Sequence, residues 1–208
     1  VDGWGNTNWY DKLYGTGTRT HHNISATGGS DRVRFFASIG YLNENGNIDN
    51  YGYNRLNLRS NIDAKLTKSL TFTLGVSGRI EKRDSPRYSA DPNAWHNVPQ
   101  QIIRALPYVP DTYEYEGKTY NVSTPTASSP IAPVASINES GYSKSNYSYI
   151  QSNFSLKYDA PWLKGLSFKF QGAYDLTYNF SKIFSNPYEV MIMNLPTIES
   201  TSLTYYKG

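Results

Sequence analysis

The sequence predicts an all-β protein in which about six strands belong to an antiparallel, up-and-down transmembrane β-barrel, with a short helix in a long outer loop. The clearest strands lie in a hairpin from Arg55 to Arg79, where one face is apolar and the other polar or charged. Strict alternation is typical of strands with one apolar and one wet face. Runs of roughly 9–11 residues are the length that a tilted strand needs to cross a bilayer, whereas strands of soluble proteins average about 5–6 residues.

Composition excludes several classes of protein. The 208 residues contain no cysteine, which excludes a disulfide framework and a thiolate metal site. No apolar run approaches the length of a transmembrane helix, but a membrane barrel has no such run because its apolar residues alternate with polar ones. The formal net charge of +3 is spread along the chain without a basic block, so we expect no nucleic-acid partner.

Strands and loops follow one another in a regular order. The alternation predicts strands within residues 20–80 and 147–180, separated by a long extracellular loop at 81–146 and flanked by outer loops at 1–19 and 181–208. Within the long loop, Asn97 is a candidate cap, Pro99 suits a first helical position, and Pro107 ends a short helix. A connection of this length is uncommon in a compact domain and is often functional.

The connections alternate in length, which fixes their sides. In an up-and-down sheet, every second turn lies at the same rim, so the short turns share one rim and the long ones the other. Such asymmetry is typical of outer-membrane barrels. Since known single-chain barrels of this kind start at about eight strands and open edges are not tolerated in lipid, we expect this chain to be part of a larger barrel. The absence of a signal peptide before Val1 favours the same interpretation.

Catalytic and metal sites are not indicated. His21 and His22 are neighbours in a strand and point to opposite faces, while His96 lies far away in the long loop. No Ser-His-Asp spacing or pair of carboxylates stands out, so we expect no enzyme activity, no metal and no cofactor.

Aromatic residues of the long loop are the candidate binding residues. They can stack on sugar rings, or they can pack the loop against itself, and the sequence leaves both readings open. The residues are Trp95, Tyr108, Tyr113, Tyr115 and Tyr120.

Four segments resemble the early barrel of SusC/RagA-type TonB-dependent transporters, and a fifth resembles the loop segment that follows it in that family, all in the same order. They are residues 6–13 (NTNWYDKL), 22–30 (HNISATGGS), 34–42 (RFFASIGYL), 61–67 (NIDAKLT) and 105–110 (ALPYVP). The resemblance covers most of residues 6–79 and is scattered afterwards.

The resemblance implies a fold and a function. Members of this family have a 22-strand barrel around an N-terminal plug, and they import glycan or peptide nutrients through the outer membrane of Gram-negative bacteria. They work with TonB and with a surface lipoprotein of the SusD type. This chain would supply roughly the second to the seventh barrel strand, with the plug, the TonB-binding segment and the closing C-terminal strands lying outside it.

The two faces of the predicted wall would then contact different surroundings, lipid on one side and the barrel lumen on the other. We expect Leu58, Leu74, Phe154 and Phe170 to face membrane lipid. Basic residues on the opposite face would line the lumen, where contact with a plug is an alternative to contact with substrate; they are Arg34, Arg55, Arg59, Arg79, Lys157 and Lys169. The function expected is nutrient import. The alternatives are a SusC-like barrel that serves as a structural subunit of an envelope complex, and a soluble β-rich module that binds glycans.

Overall fold

The computed structural model describes residues 4–87, 98–123, 132–194 and 204–207. Ten strands and three short helices are found within these ranges. In chain order they are α1 (Trp9–Leu13), β1 (Thr18–Gly29), β2 (Val33–Asn45), β3 (Gly52–Lys65), β4 (Leu70–Pro86), α2 (Val98–Arg104), β5 (Thr112–Tyr115), β6 (Lys118–Ser123), α3 (Pro133–Asn138), β7 (Gly141–Asp159), β8 (Ser167–Ser185), β9 (Val190–Asn194) and β10 (Thr204–Lys207). No helix in the described ranges is long and apolar enough to cross a membrane.

Six long strands form one antiparallel sheet in the order β1-β2-β3-β4-β7-β8. Neighbours in this sheet are always consecutive among the long strands of the chain, which confirms the predicted up-and-down wall. In a β-sandwich a second sheet covers the apolar face. The apolar face of this six-stranded sheet is exposed, which does not support the alternative of a soluble sandwich.

The register puts apolar side chains together on one face. Ile62 lies opposite Leu74, Leu74 opposite Phe154, and Phe154 opposite Gly172. The ring of Phe154 covers this glycine so closely that an added Cβ would lie 2.7 Å from it. The face is bare as well as apolar, since Phe154 is 42% and Phe170 65% exposed. An apolar surface of this extent indicates an apolar environment around the sheet.

The strands continue past the limits expected from alternation. The sequence places a loop from residue 81, whereas β4 continues to Pro86, which lies opposite Tyr142 in β7. Likewise β8 runs on to Ser185 instead of ending near residue 180. On the outward face, Lys82 and Asp84 break the apolar alternation of β4, but the backbone ladder to β7 continues through them. A ladder depends on backbone groups, so strands outlast their apolar pattern.

Short and long connections lie at opposite rims, as predicted. Residues 30–32, 66–69 and 160–166 close the turns at one rim. At the other rim residues 46–51 connect β2 to β3, β4 ends at Pro86, β7 begins at Gly141, and β8 ends at Ser185.

The connections at the second rim form a layer with its own core, which we call the outer layer. It comprises α1, α2, α3 and a four-stranded sheet in the order β10-β9-β6-β5, in which β6 and β9 are parallel. The sequence predicts one short helix in the long loop, and the structure confirms it as α2. Its other elements lie in segments predicted to be irregular. Its core consists of Trp9, Ile48, Val98, Ile102, Val109, Val122, Ile137, Met191 and Met193.

The N-terminal segment is fastened to this layer by backbone and side-chain bonds. The backbone N–H of Gly5 donates to the carbonyl of Tyr108 at 2.8 Å, and the indole N–H of Trp9 donates to that of Leu106 at 2.9 Å. Gly5 passes so near Pro110 that a Cβ would lie 2.4 Å from its nitrogen, so only glycine fits there. Trp9 is 4% exposed and thus joins the segment to the core.

We predict that replacing Trp9 with Phe loosens the segment at 105–110. The change removes one hydrogen bond and part of the core contact, which costs about 1–2 kcal/mol and makes local opening about 5–30 times more frequent. Hydrogen exchange followed by mass spectrometry on the full-length protein measures this. Tyr10→Phe is the matched control, because Tyr10 is 63% exposed. Equal exchange in both variants would contradict the role given to Trp9.

Candidate functional site

The predicted lumenal basic residues share one face of the six-stranded sheet. Arg34 lies opposite Asp63, Arg55 opposite Glu81, Arg59 opposite Ser77, Arg79 opposite Asn57, and Lys157 opposite both Thr71 and Lys169. Directly opposed residues of an antiparallel pair point to the same side. All six side chains therefore lie on the face away from Leu74 and Phe154.

Open depressions mark this polar face. One of 370 Å³ is lined by Asn57, Arg59, Arg79, Tyr149 and Gln151 among others. A larger one of 880 Å³ lies nearer the outer layer, where Tyr53, Arg83 and Tyr147 contribute to its lining. The face thus offers both space and polar groups.

Between the two depressions lies a group of side chains that we call the Glu81 cluster. Its members come from β3, β4 and β7 and are Tyr53, Arg79, Glu81, Arg83, Tyr147 and Tyr149. Glu81 is at its centre and is only 5% exposed. Its two carboxylate oxygens are shared between the arginines, with Arg79 Nε at 3.0 Å from Oε1 and Arg83 Nη2 at 3.2 Å from Oε2.

Tyrosine rings hold the two guanidinium groups in place. The guanidinium of Arg79 lies 4.4 Å from the ring centre of Tyr149. That of Arg83 lies 5.3 Å from the ring of Tyr147 and 5.6 Å from that of Tyr53. These are cation–π distances, within about 6 Å of the ring centre. Both arginine side chains keep solvent contact, at 46% and 59% exposure.

A third arginine adds to the positive charge. Arg55 is the direct cross-strand partner of Glu81. Its Nε is buried and finds no hydrogen-bond acceptor among the residues that the structure describes. Two arginines therefore contact the carboxylate of Glu81, and a third lies opposite it in the neighbouring strand, so positive charge exceeds negative charge in this group.

The cluster lies at the outer limit of the apolar band. On the opposite face, the row after Leu56 and Ile80 holds Asn54, Lys82 and Asn146 in β3, β4 and β7, and only β8 continues with an apolar residue, Phe180. Charged and amide side chains there indicate that the lipid-facing surface has ended at this height. The Glu81 cluster is thus near the rim that bears the long connections.

The aromatic candidates of the long loop differ in their surroundings. Tyr108, Tyr113 and Tyr120 pack against the core of the outer layer. Tyr115 is 48% exposed, and Trp95 lies outside the described residues. The packing reading thus fits the first three tyrosines, and Tyr115 keeps a surface for contact.

One ion pair of the outer layer changes a pKa. Lys12 of α1 donates a hydrogen bond to the carboxylate of Asp111, which holds the pKa of Asp111 below its ordinary value against the opposing effect of partial burial. A carboxyl group whose pKa is lower in the folded state stabilises that state at a pH above the unfolded-state pKa. This stabilisation is lost as the pH falls through the folded-state pKa. The pair therefore fastens α1 to the outer layer at neutral and mildly acidic pH.

Most of the Glu81 cluster does not follow from the sequence. The alternation predicts a loop from residue 81, because the outward residues next to Glu81 and Arg83 are polar. A signal was present in Arg79, Glu81 and Arg83, which alternate in sign at a spacing of two and so continue one face of the strand.

In the described ranges no group of three His, Asp or Glu side chains could hold a metal ion.

Curated relatives match part of the chain. TonB-dependent receptor P3 of Formosa agariphila is 32% identical over 84 residues, which is 40% of this chain and 8% of the receptor. TonB-dependent receptor P26 of the same organism is 32% identical over 65 residues, which is 31% of this chain and 7% of the receptor. The chain thus spans less than a tenth of the curated relatives it matches. No family model matches it.

Solved structures match more of the chain and support its fold. The RagAB peptide transporter superposes with a TM-score of 0.59 and 22% identity, over 85% of this chain and 19% of that one. The RagAB peptide importer in its "closed-closed" state gives a TM-score of 0.58 and 21% identity, over 85% of this chain and 19% of that one. Likeness at this level of identity concerns the fold.

The two kinds of likeness agree with the resemblance seen in the sequence. Sequence identity connects the chain to TonB-dependent receptors, and the superposition places its strands on a barrel of the RagA type. The comparisons thus confirm that this chain is related to the SusC/RagA-type TonB-dependent transporters and corresponds to part of their barrel wall.

Proposed function

We propose that the chain forms part of the barrel of a TonB-dependent importer in the outer membrane of a Gram-negative bacterium. The observation that carries the proposal is the single sheet with one bare apolar face, one polar face and all long connections at one rim. Lipid explains the apolar face, and a water-filled lumen explains the polar one. The relatives named as TonB-dependent receptors support the same role.

The open edges of the sheet support a larger barrel. Among the described residues, no strand pairs with the outer edge of β1 or of β8. Unpaired backbone groups are not tolerated in lipid. We propose that further strands of the whole protein pair with both edges, so that the chain as a whole is a partial barrel domain without its plug or its closing C-terminal strands.

The substrate class is peptide or glycan. The RagAB structures are described as those of a peptide importer, and the names of the Formosa agariphila receptors state no substrate. A peptide nutrient is therefore the nearer analogy, while a glycan fits the same architecture.

A SusD-like surface lipoprotein is the partner that we propose for the outer layer. The layer is ordered around its own core, so it presents a fixed surface. Ile103 on α2 is 83% exposed and Tyr115 is 48% exposed. Large apolar side chains on an ordered surface anchor a partner at little entropic cost. TonB would bind a segment outside this chain.

A structural subunit of an envelope complex is the alternative. It would have the same wall, so only transport separates the two functions. Deleting the gene of the full-length protein and measuring uptake of labelled oligopeptides and oligosaccharides decides between them. Loss of uptake of one class, restored by the gene but not when TonB is absent, supports import. Unchanged uptake of both classes would show that the barrel is structural.

We predict that Leu74→Arg destabilises the full-length barrel by about 2–4 kcal/mol, because the charge would enter lipid near the middle of the membrane. Thr73→Arg is the matched control on the polar face, where the hydroxyl of Thr73 donates to Asp63 at 2.8 Å and an arginine can pair with the same carboxylate. Denaturant titration of the barrel refolded into lipid vesicles measures both. Equal destabilisation by the two substitutions would contradict the assignment of the faces.

We predict that the double variant Ile103→Ala, Tyr115→Ala weakens capture of the lipoprotein about tenfold, since a pair of anchoring side chains is worth about 1–2 kcal/mol or more. Point variants are preferable to deleting residues 95–120, which would remove the core residues Val98, Ile102 and Val109. Co-purification and nutrient uptake are measured on the full-length protein.

Trp162→Ala is the control for this pair, because Trp162 is 69% exposed but lies at the rim of the short turns. Capture and uptake that persist in the double variant would show that the long loop is only a cover.

A further inference from the structure

We propose that the Glu81 cluster binds a carboxylate group of the imported molecule as it enters the lumen. The inference rests on the proposed function and narrows it, since it makes the favoured substrate an anionic one. Carboxylate groups occur both on peptides and on acidic sugars, so the shared chemistry is an oxygen pair with negative charge.

Charge is the first argument. Arg55, Arg79 and Arg83 lie around Glu81, and only Glu81 supplies negative charge within the cluster. The neighbouring Glu44, which lies opposite Tyr53, is paired with Arg19 at 2.8 Å. The cluster together with Arg55 therefore keeps about two positive charges that Glu81 does not neutralise. This excess attracts an anion at short range, within a Debye length of about 8 Å at physiological ionic strength.

Arg79 and Arg83 keep N–H donors that Glu81 does not use. Each oxygen of Glu81 takes one guanidinium nitrogen, Nε of Arg79 and Nη2 of Arg83. The other N–H groups of both arginines remain for a ligand. A guanidinium presents five donors in a rigid fork that fits a carboxylate in a two-pronged manner.

Both guanidinium groups are held in fixed orientations. Tyr149 lies against the guanidinium of Arg79, and Tyr53 and Tyr147 flank that of Arg83. Side chains held by ring contacts and by a buried carboxylate lose little further entropy when a ligand binds. The arrangement is that of a preformed site, unlike isolated surface arginines.

The Glu81 cluster lies where a molecule entering the lumen would pass. The cluster faces the lumen at the outer end of the apolar band, and its two arginines line the two depressions, of 880 Å³ beside Arg83 and 370 Å³ beside Arg79. A molecule that enters from the rim of the long connections meets Arg83 first and Arg79 next. This order makes the cluster an entry site.

The test uses purified full-length transporter in detergent and two matched probe pairs. One pair is a tripeptide with a free C-terminal carboxylate and the same tripeptide as its amide. The other pair is tetragalacturonate and its methyl ester. Arg79→Gln and Arg83→Gln remove one charge each, and Arg34→Gln is the control, because Arg34 shares the face but lies beside the short turn at residues 30–32.

We expect the wild type and Arg34→Gln to bind the carboxylate member of one pair at least tenfold more tightly than its neutral member. We expect Arg79→Gln and Arg83→Gln to lose that preference while they still bind the neutral member. The pair that shows the preference identifies the source as peptide or acidic sugar. A wild type without preference in either pair, or a preference that survives in both glutamine variants, overturns the proposal.

Failure of this inference is distinct from failure of the proposed function. A transporter that imports nutrient but ignores the carboxylate leaves import intact and removes the entry site. A barrel that discriminates the carboxylate without any uptake keeps the site and removes import. Assembly of each variant is checked by its mobility as a folded barrel, so a loss of binding is not confused with a loss of folding.

Discussion

The antiparallel hydrogen-bond ladder from β1 to β8 determines which side chains share a face, and the rest of the structure depends on it. A shift of one residue between two strands would turn every side chain of one strand to the other side. Here the row that joins Ser38, Arg59, Ser77, Gln151 and Asp175 is polar in all five strands. A consistent row across five strands shows that one register satisfies both the apolar and the polar face.

The outer layer depends on a different constraint. Its strands are short and its helices have only five to seven residues, so they need tertiary contacts to persist. Burial of Val98, Val109 and Met193 supplies those contacts. Since Trp9 and Met193 come from opposite ends of the chain, the layer connects segments that the sheet alone leaves apart.

Alternation made the wall predictable but not the outer layer. Leu56 to Ala64 and Leu70 to Ile80 carry a period of two, so their faces follow from local sequence. In contrast, Val122 and Met191 form neighbouring strands whose pairing is parallel and joins segments far apart in the chain. Short strands held by such contacts leave little local pattern, and β5, β6 and β9 were therefore expected to be irregular. The role of the aromatic residues of the long loop could not be predicted for the same reason. Whether a tyrosine binds a ligand or packs a core depends on its burial, which local sequence does not reveal.

Glu81 shows how the two constraints meet. The ladder continues β4 beyond its apolar band, and this extension brings Glu81 between Arg55 and Tyr147. A buried carboxylate is costly unless charged partners surround it, and two arginines meet that need. Satisfying Glu81 takes only one donor from each of them, so their remaining positive charge and donors stay directed at the lumen. The cluster therefore leaves an excess of positive charge, the sign that an incoming carboxylate requires.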